Sequence, residues 1–405
     1  MILKIIENIF DSDDMFMAKR SIYDTCLQEH TKLPINARLK ILILCNPCHG
    51  FGDVIFATKI KQYIKDWYGI IPDIATTTPD LFAKIGEKNV IALSGIKGKQ
   101  CRRFGNLKAK IGKYDLLFVA PLMADSEILF SDVKKLIPYS SPTNTFFFSE
   151  YNDYLDKGFD VNTGIGNGRD GLLFIKTKSS KSDIARFNLG VYAFAYIADS
   201  IDDAEECFLQ FLNMITEKYD NLEEVVCPNW IKDIDPKLLK KYGKHYNISI
   251  NTRLGLQNEL VLRCDIFPVP NNVMLSLMHY SVRDILLTGD QSITDALSCC
   301  SDKNIFYQIA PWKEDFGKNL AKYMPNKFLK KQSTSCGTRD AIFYKFNYDK
   351  FIRDWDFRVL GKPKIDAMLC SAYILKKNKQ LRRIVEILEN SKTVNGAIHK
   401  IEKII

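Results

Sequence analysis

The chain has 405 residues, 46% hydrophobic and 26% charged, a composition that excludes a disordered protein and leaves room for two folded domains. Its 57 Lys and Arg against 48 Asp and Glu give a net charge of +9, which suits an anionic partner (a nucleotide diphosphate, a nucleic acid or an acidic membrane) without choosing among them. No run of about 18 uncharged apolar residues occurs, and Lys4 and Glu7 interrupt the apolar start, so neither a spanning helix nor a signal peptide is expected.

After a polar N-terminal arm, residues 39–44 form a short apolar run that predicts a buried parallel strand. Residues 54–68 follow as a helix, with Val54, Ile55, Ile60, Tyr63, Ile64 and Trp67 on one stripe. Strands are expected at 73–77, 90–93 and 115–119, with helical stretches between them. Residues 140–181 break the pattern: they are rich in Ser, Asn, Asp and Gly, including Gly164, Gly166, Gly168 and Gly171, and predict a functional loop, a lid or an irregular excursion. A second alternating series then begins, with strands at 192–198, 224–227, 248–250, 285–288 and 305–309 and an amphipathic helix at 202–218. Strands alternating with helices mean βαβ units and parallel sheets, so the fold class is α/β.

The last sixty residues read as helices. Ile374, Leu381, Ile384, Val385 and Leu388 form an apolar stripe beside Lys376, Lys377, Lys379, Arg382 and Arg383. Such a helix packs on the body with a solvated basic face, or makes peripheral contact with an anionic membrane; packing is the preferred reading. The eleven cysteines are scattered, and several (Cys207, Cys264, Cys370) sit in apolar segments, the usage of a reducing compartment; a cytoplasmic protein is expected.

The most informative segment is Leu44-Cys45-Asn46-Pro47-Cys48-His49-Gly50-Phe51-Gly52-Asp53, a strand entering a Gly-containing turn that opens a helix. Gly50 and Gly52 permit positive φ and close approach of a ligand, and a helix N-terminus suits an anion. The segment is neither G-x-G-x-x-G nor a P-loop. Asp53 reads as an N-cap or as a general base, and the two roles are compatible. His49 is the rival base. Cys45 and Cys48 with His49 match C-x-x-C-H, the haem-attachment pattern, which needs export; a redox pair would need a thiol at the helix start, and zinc would need ligands from elsewhere.

The second half repeats the device. In Thr288-Gly289-Asp290-Gln291-Ser292-Ile293-Thr294-Asp295-Ala296-Leu297 a strand ends, Gly289 turns, and Asp290 or Ser292 opens a helix whose Ile293, Ala296 and Leu297 pack inward. The N–H groups of Gln291, Ser292 and Ile293 and the Ser292 hydroxyl suit a diphosphate. Upstream, Asn271 or Asn272 is expected to cap a helix; downstream, Trp312 follows a strand in a loop. Ordinary capping and packing account for each feature singly.

Together the two segments resemble a GT-B glycosyltransferase, in which an acceptor-side lobe carries the base in its first turn and a second lobe grips the nucleotide sugar at a Gly/Ser turn opening a helix. Gly52-Asp53 matches the first feature, and Gly289-Asp290-Gln291-Ser292 with Ala296-Leu297 the second. A fainter similarity is to bacterial protein-arginine rhamnosyltransferases, which combine an early Gly-Asp turn with a late Gly-acid-x-Ser turn. The resemblance implies two Rossmann-like lobes facing a central cleft, residues 1–185 and 186–345, with a helical extension, 346–405, packing back on the body. It implies Asp53 as the base, with Asp290 and Ser292 on the donor. The Glu-x7-Glu donor signature of many retaining members is missing, which favours inversion and leaves the donor sugar open. The expected activity is metal-independent transfer from a nucleotide-diphosphate sugar to an unidentified acceptor, with no cofactor, and with Lys313 or Arg263 stabilising phosphate charge. The alternatives are a nucleotide-sugar epimerase or hydrolase on the same fold, and a non-catalytic module binding anionic lipid or nucleic acid.

Overall fold

The computed structural model describes residues 1–47, 51–94, 111–122, 130–151, 159–323, 342–343 and 353–405; residues 312, 321, 342 and 343 are described by their main chain only. The expected polar arm is instead two helices, α1 (Ile2–Phe10) and α2 (Met15–Gln28), the second capped by Asp14, whose carboxylate accepts from the Met17 N–H at 2.9 Å. Ile5, Ile6, Ile9, Ala18 and Ile22 are buried, and the charged residues between them obscure the stripe in the linear sequence.

The first sheet comprises β1 (Ile41–Cys45), β2 (Asp73–Thr76), β3 (Val90–Ala92), β4 (Leu116–Leu122) and β5 (Thr145–Ser149) in the order β3-β2-β1-β4-β5, all parallel. Its helices are α3 (Gly52–Tyr68), α4 (Pro79–Lys84) and α5 (Phe130–Leu136). All five residues of β1 are buried: Leu42 and Leu44 enter one apolar cluster, Ile41, Ile43 and Cys45 another, as expected of a strand covered on both faces. α3 stops at Gly69, in the left-handed region at φ +66°. Strand β5 lies inside the stretch read as irregular; its Thr-Phe-Phe-Phe-Ser run is too short and too closely flanked by turn residues to stand out.

The described residues 159–181 are packed against the body rather than standing out as a lid. Gly164, Gly166, Gly168 and Gly171 all have positive φ, and the Gly164 N–H donates to the Gly171 carbonyl at 2.9 Å. Ile165, Leu172, Leu173 and Phe174 are buried, and the Leu172 N–H donates to the Trp355 carbonyl. The glycines are there because a tightly folded, packed reverse turn demands them, rather than because the segment must move.

The second sheet has seven strands: β6 (Tyr192–Tyr196), β7 (Glu224–Val226), β8 (Asn247–Ile250), β9 (Glu259–Arg263), β10 (Asp284–Thr288), β11 (Asn304–Gln308) and β12 (Ile342–Phe343). Their order is β12-β11-β10-β6-β7-β9-β8, parallel except for β12. The helices are α6 (Lys181–Ile184), α7 (Ala204–Lys218), α8 (Pro236–Tyr242), α9 (Asn271–Tyr280), α10 (Asp290–Cys299) and α11 (Glu314–Tyr323). Strand β9 escapes the sequence pattern because its apolar run is only three residues long, between Glu259 and Arg263. Helix α9 is capped by Pro270 rather than by an Asn side chain; Asn271 is its first residue, and Asn272 donates to Asp183 at 3.1 Å.

Four helices end the chain: α12 (Phe357–Leu360), α13 (Lys362–Lys377), α14 (Lys379–Glu389) and α15 (Val394–Ile401). Leu381, Ile384 and Leu388 of α14 share a core with Ile5, Ile9 and Ile22, so the apolar stripe is covered by α1 and α2. Lys376 reaches Asp115, beside the first sheet, at 2.7 Å. Among the described residues no helix is long and apolar enough to cross a membrane.

Candidate functional site

Both sequence-marked turns lie where their sheets reverse direction. In the first sheet β1 is flanked by β2 and β4; in the second, β10 is flanked by β11 and β6. At such switch points the connections leave on opposite faces and open a crevice at the carboxyl ends of the strands, where ligands of open α/β sheets gather.

The first turn leaves β1 through Asn46 and Pro47; Cys48, His49 and Gly50 lie outside the described residues. The cap of α3 is Phe51, without a side-chain bond, and Gly52 is the first helical residue. Asp53 is therefore not the N-cap: it sits in the first turn, half-buried, where the helix dipole favours a carboxylate. Its carbonyl faces the Cys45 sulfur at 3.6 Å. Burial, with the Asp53 charge beside it, pushes the Cys45 thiol well above its ordinary range, so it is no thiolate at neutral pH. Asn46 is also buried; its Oδ1 accepts from the Thr77 hydroxyl at 2.6 Å, while its Nδ2 has no partner among the described residues.

The second turn depends on Gly289, at φ +79°, a conformation most side chains disfavour although a Cβ there would have open space. Asp290 begins α10 and is buried; its Oδ1 accepts from the Gln291 N–H at 2.8 Å. The Ile293 N–H donates to the Gly289 carbonyl at 3.3 Å. Two of the three N–H groups expected to cradle an anion thus have protein acceptors, one of them the carboxylate of Asp290 itself. Ile293, Ala296 and Leu297 are fully buried, as their spacing predicts, while Ser292 is partly exposed.

The two turns meet. A Cβ added to Gly52 would lie 4.0 Å from Asp290 Oδ1. Around this contact is a set of buried charges; sequence reasoning named Asp290 and Lys313 and missed Glu150, Lys59 and Asp295. Lys313, in a short turn after β11, is 2.7 Å from Asp290, 2.7 Å from Glu150 and 3.2 Å from the Tyr151 carbonyl. Lys59 of α3 is 2.5 Å from Asp295 and 2.9 Å from Gln291 Oε1. Burial pulls the Lys313 ammonium down, but Asp290 and Glu150 outweigh it and hold its pKa above the ordinary lysine value. Burial pushes the Asp295 carboxyl up, against the opposing pull of Lys59. Lys59 and Asp295 had a visible signal: each is a charge at an apolar helical position, which in a buried helix requires a partner. Glu150 had none, since only folding brings the end of β5 to Lys313.

These pairs alter the expected electrostatics. Lys313 faces two carboxylates, Asp290 and Glu150, and Lys59 faces Asp295. Lys313 is held by two carboxylates, and Arg263 is committed to Asp265 at 2.9 Å and Glu224 at 3.2 Å; neither is the free cation expected for phosphate. The Trp312 side chain lies outside the described part.

No protein-family model matches the sequence, and no curated protein matches it. Among solved structures, the chain is similar to Escherichia coli heptosyltransferase WaaC with ADP, at 12% identity and TM-score 0.31, over 61% of this chain and 80% of that one. It is similar to a glycosyltransferase from Rickettsia africae, at 10% identity and TM-score 0.39, over 87% and 100%. A third likeness is to a mutant of Staphylococcus aureus TarM in complex with fondaparinux, alpha-GlcNAc-glycerol and UDP, at 8% identity and TM-score 0.26, over 79% and 55%.

Proposed function

We propose that the chain is a glycosyltransferase of the GT-B type, moving a sugar from a nucleotide-diphosphate donor to an acceptor hydroxyl or nitrogen. The observation that carries this reading is the meeting of the two strand-to-helix turns, Gly52 against Asp290, at the switch points of two parallel sheets. A donor gripped by one turn would lie within reach of a base on the other, which is the geometry that transfer between two bound substrates needs.

In this reading Asp53 takes the proton of the acceptor as it attacks the anomeric carbon, and the diphosphate leaves from the opposite face. His49 is the alternative base, and Gly50 and Gly52 let the acceptor approach the main chain. Gly289, Asp290, Gln291, Ser292 and Ile293 form the donor-side turn. Because the Asp290 carboxylate engages the start of α10 and Lys313, its part is to fix the turn, and Ser292, partly exposed, is the residue offered to the donor. Residues 1–185, 186–345 and 346–405 are then the acceptor lobe, the donor lobe and a bracing helical extension.

A thermal-shift screen against UDP-, GDP-, dTDP- and CMP-sugars tests the reading, since a ligand that binds only the folded chain raises its melting temperature. One nucleotide sugar should stabilise the protein, and Ser292→Ala should reduce that shift. No shift with any donor at millimolar concentration would remove the proposal. Donor breakdown at full rate without acceptor would convert it to a hydrolase.

A further inference from the structure

A cavity of about 440 Å³ lies along α3, next to the junction of the two turns, with Lys59 in its lining. Ile55, Thr58, Lys59, Gln62 and Asp66 line it at helical spacing, so they form one stripe of α3. Asp53, two residues before Ile55, falls on the far side of the helix. The opposite wall is the segment from Phe174 to Thr177, closed by Asn271 and Arg358. Its volume is within the roughly 300–1,000 Å³ of small-molecule sites.

Part of the lining is aromatic, and Lys362 Nζ lies 5.6 Å from the Trp67 ring centroid. Trp67 stacks on Tyr63 with ring centroids 5.0 Å apart and planes 6° from parallel, and Phe357 stacks on both, 5.7 Å from Tyr63 and 6.5 Å from Trp67. The Tyr63 hydroxyl donates to the Phe174 carbonyl, which fixes the ring, while Trp67 stays half-buried. Other lining residues offer donors. Lys176 is exposed and has no ion pair among the described residues. Asp356 holds Arg358 through Nε and Nη2, which leaves Nη1 without an acceptor among the described residues. Asn271 opens α9, a ten-residue helix without a side-chain cap, whose first N–H groups carry positive partial charge. Among the described residues Asp66 is the one carboxylate in the lining, and Gln62 already donates to it at 2.6 Å.

We propose that this cavity binds a small aromatic anion, a planar ring bearing a carboxylate or phosphate, with the ring against Trp67 and the anionic group toward Lys176, Arg358 and the start of α9. An apolar pocket with a few convergent donors recognises such a ligand by shape and by charge. The cavity shares Lys59 with the junction, where Asp295 and Gln291 hold its ammonium, but the proposed ligand contacts include neither Asp53 nor the main chain of the 289–293 turn.

Isothermal titration of the full chain with 1-naphthyl phosphate, 2-naphthoate, 2-naphthalenemethanol and inorganic phosphate tests it. At least one aromatic anion should saturate a single site, at least ten-fold more tightly than the neutral alcohol or phosphate alone. Lys176→Glu, an exposed change that leaves the core intact, should weaken that binding at least ten-fold. Asp53→Asn should bind unchanged. Absence of saturable binding at millimolar concentration, equal affinity for the alcohol, unchanged affinity in Lys176→Glu, or loss of binding in Asp53→Asn would each overturn the proposal.

Discussion

Lys313 lies 2.7 Å from Glu150, joining the turn after the eleventh strand to the end of the fifth strand across the junction of the two sheets. The same ammonium is 2.7 Å from Asp290. Removing one member of such a buried set leaves the others uncompensated, which costs more than the set itself contributes. Lys313→Met is therefore expected to destabilise the chain by about 3–5 kcal/mol in urea denaturation. Adding Glu150→Gln and Asp290→Asn to it should recover much of the loss. A single-variant effect below about 1 kcal/mol would show that water reaches these charges.

The same contact has a pH signature. The folded Lys313 pKa is raised above its ordinary 10.5, so the stability it contributes is fully present below 10.5 and is lost as pH rises through the folded value. The stability difference between wild type and Lys313→Met should be flat from neutral pH to about 10 and should shrink above it. A difference that fades between pH 6 and 9 would assign the effect to another group.

Asp53→Asn should lower turnover of any transfer reaction by about 10²–10⁴-fold while leaving donor affinity within a few-fold, the signature of a lost general base. Donor affinity is read by titration and turnover by product formation. Retained turnover would move the role to His49.

The reverse turn at 164–171 is expected to be intolerant of side chains. An added Cβ at Gly171 would lie 2.6 Å from the Trp355 carbonyl, and Gly171 has φ +98°. Gly171→Ala should therefore destabilise by about 2–4 kcal/mol, steric overlap adding to backbone strain. Gly69→Ala, at φ +66° with open space around it, should cost only about 1 kcal/mol. Equal losses in thermal unfolding would contradict the packing described for the 164–171 turn.

Cys45 should resist alkylation in the native state, because its sulfur is buried and its thiol pKa is raised by that burial. Iodoacetamide labelling followed by peptide mass analysis should find it unmodified in buffer and fully modified in urea. Rapid native labelling would restore a redox reading of the Cys45 and Cys48 pair.

The sequence by itself determined the α/β class and the two places where a strand opens a helix through glycine. Both follow from local physics: a buried parallel strand reads as an apolar run, as at Ile41–Cys45, and a residue at φ +79° such as Gly289 is usually glycine. It also marked Ile293, Ala296 and Leu297 as inward-facing, since helical spacing alone decides that. The strand Thr145–Ser149 was illegible because five residues among turn formers carry no periodic signal. Only the tertiary structure decided which charges are spent on one another. Asp290 reads as a ligand contact in the linear chain, but folding sets it against Lys313, 23 residues on, and sets that lysine against Glu150, 163 residues back. A charge in a sequence has no partner until packing removes its water, and removing the water is what makes a partner necessary.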